Sequence, residues 1–294
     1  MEVEFKRPID APFRGVFMMC FAVFCFAAMN TFTKELRSEY SLTGIIWGRY
    51  FFHFALILLM FPRKVPMLFV TDNIWLQIAR SVLVLLATGC MFFALGFMPL
   101  ADAVAITFAG PLLIVALSAV LLRESVGPRR WGAVIFGFIG MLVIIRPGAG
   151  TFQIAALLPV AVALFYALYQ IITRHLSHKS DPLSMLFYTA LVGALVTSAI
   201  IPFDWTTPSL RQLGMLIAIG FLGGLGHYAI IVAYERSETS LVAPIAYTEI
   251  VWATLLGLMF FDDFPDLFTF LGTAIIIASG VYVVGRERKT QNTK

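Results

Sequence analysis

The sequence contains few charged residues and few cysteines for its length. Only 13% of its 294 residues are Asp, Glu, Lys or Arg, whereas 60% are hydrophobic. Soluble domains carry about 25% charged and about 45 to 50% apolar residues. This balance excludes a soluble globular protein and a disordered chain. Cys20, Cys25 and Cys90 lie inside apolar runs without metal-ligand or disulfide spacing, so we interpret them as packing residues.

Motifs for ATP binding and for common hydrolytic chemistry are missing as well. The chain contains no Gly-Lys dipeptide and hence no P-loop, no His-Glu-x-x-His zinc motif and no Gly-x-Ser-x-Gly nucleophile elbow. We therefore expect neither an enzyme nor a resident metal or cofactor. A haem protein that uses His53 and His227 is a remote alternative, and so is a structural membrane protein.

Long apolar runs, rich in Phe and Gly, predict an all-α membrane protein. A helix needs about 20 apolar residues to cross the hydrocarbon layer, and by this measure the charged and proline-rich breaks divide the chain into ten transmembrane spans. The predicted spans, numbered one to ten, are 15–33, 42–61, 74–98, 101–122, 128–145, 152–173, 183–203, 210–234, 240–261 and 267–285.

The basic residues are distributed unequally between the two sides of the predicted spans. Fifteen of the 21 Lys and Arg residues fall on one side, which also contains the tails 1–14 and 287–294 and their basic residues. This unequal distribution explains the net charge of +4 without nucleic-acid binding. The positive-inside rule predicts that both termini are cytoplasmic. We call the sparsely charged side the outer side; it carries Lys34, Arg37, Arg146 and Arg211.

The two halves of the chain, 15–147 and 152–286, are weakly similar to each other at a shift of about 140 residues. The matched landmarks are Phe26-Ala27 with Tyr166-Ala167, Lys34 with Arg174, Glu124 with Asp263, and Gly132 and Gly140 with Gly272 and Gly280. Each half contains five predicted spans. Because five is odd, the halves must be inverted relative to each other, which is typical of secondary transporters with a binding site near the bilayer midplane.

Short motifs at the end of each half connect the sequence to a known family. They are Met98 to Ala103, Phe108 to Leu112, Leu122-Arg123-Glu124, Arg130-Trp131 and Arg146-Pro147-Gly148 in the first half, and Ala243 to Tyr247, Trp252-Ala253, Leu256-Gly257 and Asp263 in the second. The chain resembles drug/metabolite transporters with two EamA-type domains. The resemblance implies a ten-helix inner-membrane carrier with spans five and ten at the periphery, and relatives that carry S-adenosylmethionine, amino acids or riboflavin.

Three ionisable side chains lie deep inside predicted spans, where charge is costly and usually functional. At 1.5 Å per residue, Arg49 and His53 lie about 12 and 18 Å from the outer end of span two, and Glu249 lies about 17 Å below the outer boundary. We interpret Arg49 as a site for an anionic group, Glu249 as a partner for an amine or a proton, and His53 as an assisting group. The alternative is a permanent ion pair between Arg49 and Glu249.

Other polar and aromatic residues complete the predicted site, each with a packing alternative. Arg80 is a secondary candidate that we expect to snorkel to the cytoplasmic interface. Pro111 and Pro244 kink spans four and nine and are candidate gates or static bends. We expect His227 and Tyr228, as well as the glycines of spans five and eight, to serve in packing. The remaining binding candidates are Asn30, Tyr166, Tyr169, Gln170, Tyr247 and Trp252.

The function that these features favour is a secondary transporter for a small polar or zwitterionic metabolite, such as S-adenosylmethionine or an amino acid, in a bacterial inner membrane. A carrier of a flavin or an organic acid is the alternative. Because His53 and Glu249 can exchange protons, proton coupling is one option and uniport or exchange the other. A homodimer through span five or ten is left open.

Overall fold

The computed structural model describes residues 12–121, 126–147, 154–176, 180–237 and 239–291, and within them it contains helices and no strands. Part of each predicted tail, as well as Leu122-Arg123-Glu124 and Gly148 of the predicted motifs, lies outside these residues. Three 3-10 helices are Ile154–Ala156, Ile201–Phe203 and Ala243–Thr248. The α-helices are α1 (Pro12–Leu36), α2 (Leu42–Met60), α3 (Val65–Leu68), α4 (Ile74–Ala94), α5 (Leu100–Thr107), α6 (Gly110–Leu121), α7 (Pro128–Ile145), α8 (Leu157–Leu176), α9 (Pro182–Ile200), α10 (Leu210–Arg236), α11 (Thr239–Val242), α12 (Glu249–Phe261) and α13 (Leu267–Gln291).

Nine helical segments of the described chain are long and apolar enough to cross a membrane. They coincide with predicted spans one to nine to within five residues at each end. The tenth predicted span falls on α13, where the apolar part is the shorter stretch Leu267–Val283. The protein is therefore an all-α membrane protein, whereas the tenth crossing and the inverted repeat remain predictions.

Predicted spans four and nine are each interrupted near their proline. The first is divided into α5 and α6 at residues 108–109, where Phe108 and Ala109 donate backbone hydrogen bonds to the third residue before them instead of the fourth. Pro111 follows this break, and Pro244 lies within the 3-10 helix that precedes α12. Because proline has no backbone N–H and its ring crowds the preceding turn, the α-helix is irregular at both positions; the bend of each span and the role as gates stay predictions.

The most extensive helix contacts pair α1 and α2 with α10, α2 with α9, α4 with α8, and α7 with α13. Each of these pairs joins a helix of residues 15–147 to a helix of residues 152–286. The predicted role of glycine in close packing holds for Gly140, because a methyl group there would lie 2.8 Å from the carbonyl oxygen of Gly272. It is wrong for Gly132, which faces open space.

Candidate functional site

Helices α2 and α10 approach each other closely because glycine occupies their crossing. A methyl group on Gly220 would lie 2.9 Å from the carbonyl oxygen of Gly48 and 3.0 Å from the backbone nitrogen of His53. A methyl group on Gly224 would lie 2.7 Å from Cδ2 of the His53 ring. This close approach places Arg49 and His53 of α2 beside His227 of α10, and we call these three residues the arginine cluster.

Arg49 is buried without a carboxylate partner among the described residues. Its side chain is 4% exposed, and its Nη2 atom lies 3.5 Å from Nε2 of His227. The guanidinium also faces the rings of Tyr50 and Phe92, at 4.7 and 5.8 Å from the ring centroids. Its Nε atom has no hydrogen-bond partner. No ion pair joins Arg49 to Glu249 in the described structure, so the alternative of a permanent pair is wrong.

The two histidines of the cluster stack on each other. Their ring centroids are 6.1 Å apart and their planes differ by 6°, while Phe26 of α1 packs edge-on against His227 at 5.0 Å. His53 is fully buried, yet neither ring nitrogen has a hydrogen-bond partner in the part of the chain that the structure describes. Since buried polar atoms are nearly always paired, the nitrogens of His53 are groups that a polar ligand or water would satisfy on binding.

Asn30 of α1 adds another buried polar atom without a partner. Its side chain is 5% exposed, and its Oδ1 atom accepts no hydrogen bond from any residue that the structure describes. The preceding residue, Met29, lies against Gly223, where a methyl group would be 3.1 Å from the methionine sulfur and 3.6 Å from Nε of Arg49. Asn30 is therefore one residue away from the wall of the arginine cluster.

Arg80 does not snorkel to the interface, so that prediction is wrong. The side chain is 2% exposed because α8 and α9 cover it. Its guanidinium donates to Oγ1 of Thr173 at 3.1 Å, to the carbonyl oxygen of Met185 at 2.6 Å and to the hydroxyl of Tyr169 at 2.9 Å. Another donor reaches Oε1 of Gln77 at 3.3 Å. The donors of Arg80 are thus largely occupied by the protein itself.

A second polar group, which we call the tyrosine cluster, comprises Tyr166, Tyr169, Gln170 and Glu249. The two tyrosine rings are 5.5 Å apart, and Nε2 of Gln170 donates to the hydroxyl of Tyr166 at 3.2 Å. Glu249 is the half-buried first residue of α12, and among the described residues no hydrogen bond or ion pair joins it to the tyrosines, so we group it with them only because its charge acts on Tyr166. Arg80 donates to the hydroxyl of Tyr169 and so borders the tyrosine cluster.

Tyr247 and Trp252 make the packing contacts that the alternative interpretation predicted. The Tyr247 ring lies edge-on to Phe108 at 5.1 Å, and its hydroxyl occupies the space beside Gly280 of α13. The Trp252 ring lies edge-on to Phe24 of α1 at 5.0 Å. Both side chains thus join α12 and the preceding 3-10 helix to neighbouring helices.

His227 is the residue that sequence analysis did not place in the site. We expected it to pack near the cytoplasmic end of span eight, whereas it contacts both Arg49 and His53. Residues four apart share a helix face, so His227 follows Gly223 on the face that packs against α2. That spacing was the available signal for its position.

Ion pairs and hydrogen bonds connect the two halves of the chain at the outer end. Lys34 pairs with Asp263 and also donates to the carbonyl oxygen of Met98 at 3.2 Å. Arg211 binds Glu35 and Glu39, both at 2.7 Å. Arg146 forms a further pair between the halves. Three of the four basic residues on the outer side therefore bridge the two halves.

The Arg146 pair joins the end of α7 to the loop before α13. Arg146 lies 2.6 Å from Asp266, which also accepts hydrogen bonds from the backbone and side chain of Thr269. Partial burial favours the neutral carboxyl group, but these hydrogen bonds and the charge of Arg146 outweigh it and hold the pKa of Asp266 below its ordinary value. Asp102 accepts a hydrogen bond from Thr269 at 3.0 Å and completes the connection.

A polar site between the two halves of a helical membrane bundle is consistent with the protein family that the sequence matches. The model of the EamA-like transporter family matches residues 13–146 and again residues 153–285. The chain belongs to the EamA-like transporter family. This transporter is a multi-pass membrane protein that moves a small metabolite.

Several proteins that are named as transporters are similar to this EamA-like chain over nearly their whole length. It is 28% identical to an S-adenosylmethionine uptake transporter of Rickettsia conorii, over 91% of each chain. It is 27% identical to a riboflavin transporter of Vibrio cholerae, over 95% of each chain. A pseudopaline exporter of Pseudomonas aeruginosa is also 27% identical, over 94% of this chain and 97% of the exporter.

A solved structure supports the fold independently of these names. One crystal structure superimposes with a TM-score of 0.63 and covers 92% of this chain and 96% of that chain, at 17% sequence identity. The transporter therefore shares the overall fold of an experimentally determined protein.

Proposed function

We propose that this transporter is a secondary carrier of the bacterial inner membrane for a small polar or zwitterionic metabolite, such as S-adenosylmethionine or an amino acid. The observation that carries the proposal is the arginine cluster, in which buried polar atoms without partners lie where α2 of one half meets α10 of the other. Secondary transporters bind their substrates between two such halves. The similarity to an S-adenosylmethionine uptake transporter over 91% of both chains supports the substrate class.

Within this proposal the two polar clusters hold opposite ends of the substrate. The arginine cluster receives the anionic end, because Arg49 has an unused donor, whereas the free Oδ1 of Asn30 accepts a hydrogen bond from a donor group of the substrate. Glu249 receives an amine or another cationic group, and Tyr166, Tyr169 and Gln170 orient the remainder of the molecule. Arg80 positions the Tyr169 hydroxyl instead of binding substrate, since it already donates to four protein groups.

Transport proceeds by alternating access in a bundle of ten spans, with inverted halves and both termini in the cytoplasm. The ion pairs of Lys34, Arg146 and Arg211 hold the halves together at the outer end and so represent a closed outer gate. Exposed ion pairs contribute about 0 to 1 kcal/mol each, which allows them to open and close. The breaks beside Pro111 and Pro244 supply bending points in the two repeat-related spans.

A flavin carrier is the second candidate function, since the riboflavin transporter of Vibrio cholerae is 27% identical over 95% of both chains. A neutral flavin would use the tyrosine cluster for stacking, but it would leave the charge of Arg49 without a partner. We therefore rank it below a substrate with an anionic group. Coupling to protons through His53 or Glu249 is compatible with either substrate.

A ligand-dependent thermal unfolding screen of the full chain in detergent tests the proposed function. The panel comprises S-adenosylmethionine, amino acids, organic acids and riboflavin. A ligand present at about 100 times its dissociation constant stabilises the folded state by about 2.7 kcal/mol, so binding is readily seen. We expect stabilisation by S-adenosylmethionine or an amino acid, whereas a response to riboflavin alone would favour the second candidate. No response to any small metabolite would contradict the proposal.

A further inference from the structure

The arginine cluster contains a buried positive charge that has no negatively charged partner among the described residues. Arg49 cannot lose its proton in a protein, so its charge is buried whether or not substrate is bound. The groups around it in the described structure are two aromatic rings and the imidazole of His227. Aromatic faces offset part of the cost of burying a cation, but they do not replace a carboxylate that accepts hydrogen bonds.

The free atoms of the cluster have the geometry of an anion site. Nε of Arg49 has no partner, and Nη2 is held only by a contact of 3.5 Å, at the outer limit of a hydrogen bond. These two donors lie on one edge of the guanidinium plane, the arrangement that a carboxylate accepts with both oxygens. His53 contributes two ring nitrogens without partners, one of which is a donor in either neutral tautomer.

The protein does not supply the missing anion from the candidate acid nearby. Glu249 forms no ion pair with Arg49 and lies in the tyrosine cluster on the α8 side. Arg80, which is also buried, is satisfied by neutral oxygens of its own neighbours. Arg49 therefore differs from Arg80 in having both a free donor and no set of oxygen acceptors.

We infer that the substrate carries a carboxylate that serves as the counter-ion of Arg49, and that His227 is a binding residue of this subsite. The inference rests on the proposed function and narrows it. It requires an acid or an amino-acid moiety in the substrate and rejects neutral flavins. His227 orients the guanidinium from one side, while the carboxylate binds the Nε edge, which has no hydrogen-bond partner among the described residues. Because Gly223 of α10 lies against this edge, α10 and Met29 must move to admit the carboxylate.

The first test requires no substrate and compares Arg49→Met with Arg80→Met in the full chain. Methionine keeps the apolar stem of either arginine and removes the charge. Without ligand, Arg49→Met should unfold at a temperature equal to or above that of the wild type, because an unpaired buried charge is removed. Arg80→Met should unfold well below it, because several acceptors lose their donor. An equally large decrease for both variants would overturn the inference.

The second test uses matched ligand pairs that differ only in the carboxylate. S-adenosylmethionine is compared with decarboxylated S-adenosylmethionine, and amino acids with the corresponding amines, by thermal unfolding and by titration. We expect only the carboxylates to bind, with a loss of at least about 30-fold in Arg49→Met, the effect of removing one partner of a buried charged pair. His227→Phe keeps the ring stack and should bind about tenfold more weakly, whereas Arg63→Met, at an exposed loop position, should match the wild type.

The outcomes separate this inference from the proposed function. Equal binding of both members of a pair, binding that Arg49→Met retains, or binding of riboflavin in place of every carboxylate would overturn the inference while leaving a transporter of a different substrate class. Failure of every carboxylate to bind the wild type would also overturn it. The absence of binding and transport for all metabolites tested would reject the proposed function as well.

Discussion

The substitution Gly220→Ala should separate α2 from α10 and thereby disrupt the arginine cluster. The added methyl group would lie 2.9 Å from the carbonyl oxygen of Gly48 and 3.0 Å from the backbone nitrogen of His53. Both neighbours are backbone atoms and cannot rotate away, so one helix must shift. Gly214→Ala is the matched control on the same helix, because nothing lies within 4 Å of its added methyl group.

The difference between the two variants isolates the cost of overpacking. Alanine is favoured over glycine in a helix interior by about 1 kcal/mol, and this gain is common to both positions. Inserting a methyl group into a packed contact costs about 1 to 3 kcal/mol. Gly220→Ala should therefore be less stable than Gly214→Ala by about 1 to 3 kcal/mol.

Thermal or denaturant unfolding of both variants in the same detergent measures this difference. Gly214→Ala should be at least as stable as the wild type, whereas Gly220→Ala should be destabilised and should bind carboxylate ligands more weakly. If the two variants have equal stability, the close crossing of α2 and α10 is incorrect, and so is the position of the arginine cluster.

Three further predictions concern the outer end and the core. Lys34→Met and Asp263→Asn remove the same ion pair, so their effects on transport rate should not add in the double variant; additive effects would show that the two residues act separately. Because the pKa of Asp266 is lowered in the folded protein, its contribution to stability is complete above the ordinary carboxyl pKa and is lost as pH falls below it. The difference in unfolding temperature between wild type and Asp266→Asn should thus be largest at neutral pH and shrink as pH falls below the ordinary carboxyl pKa, and a constant difference would refute this. Tyr50→Phe removes the hydroxyl that contacts Thr88 at 3.0 Å and should lower stability by about 1 kcal/mol, whereas an unchanged unfolding temperature would show that this hydrogen bond contributes nothing.

The helices of the fold could be predicted from the sequence because the length and polarity of each run are local properties. Nine of the ten predicted spans coincide with helices that are apolar and long enough to cross a membrane. The interruptions of spans four and nine were also predictable, since Pro111 and Pro244 act on their own backbone. Whether α13 crosses the membrane depends on the hydropathy of its last turns and on its neighbours, which local patterns do not decide.

The arrangement of side chains across helices was less accessible from the sequence. Depth along a span predicted that Arg49 and Glu249 could meet, but depth does not give the direction in which each helix face points, and the two residues lie in different clusters. Arg80 was expected at the interface because it is close to a helix end, yet α8 and α9 cover it. Predicting the position of His227 requires the register between α2 and α10. The close crossing at Gly220 and Gly224 sets that register.

Uptake of labelled S-adenosylmethionine and of a labelled amino acid panel into liposomes that contain the purified full chain tests the central claim most directly. The account predicts uptake of at least one carboxylate-bearing metabolite by the wild type, its loss in Arg49→Met and its retention in Arg63→Met. Uptake that Arg49→Met sustains at the wild-type rate, or uptake confined to neutral compounds, would contradict the claim that a substrate carboxylate completes the arginine cluster.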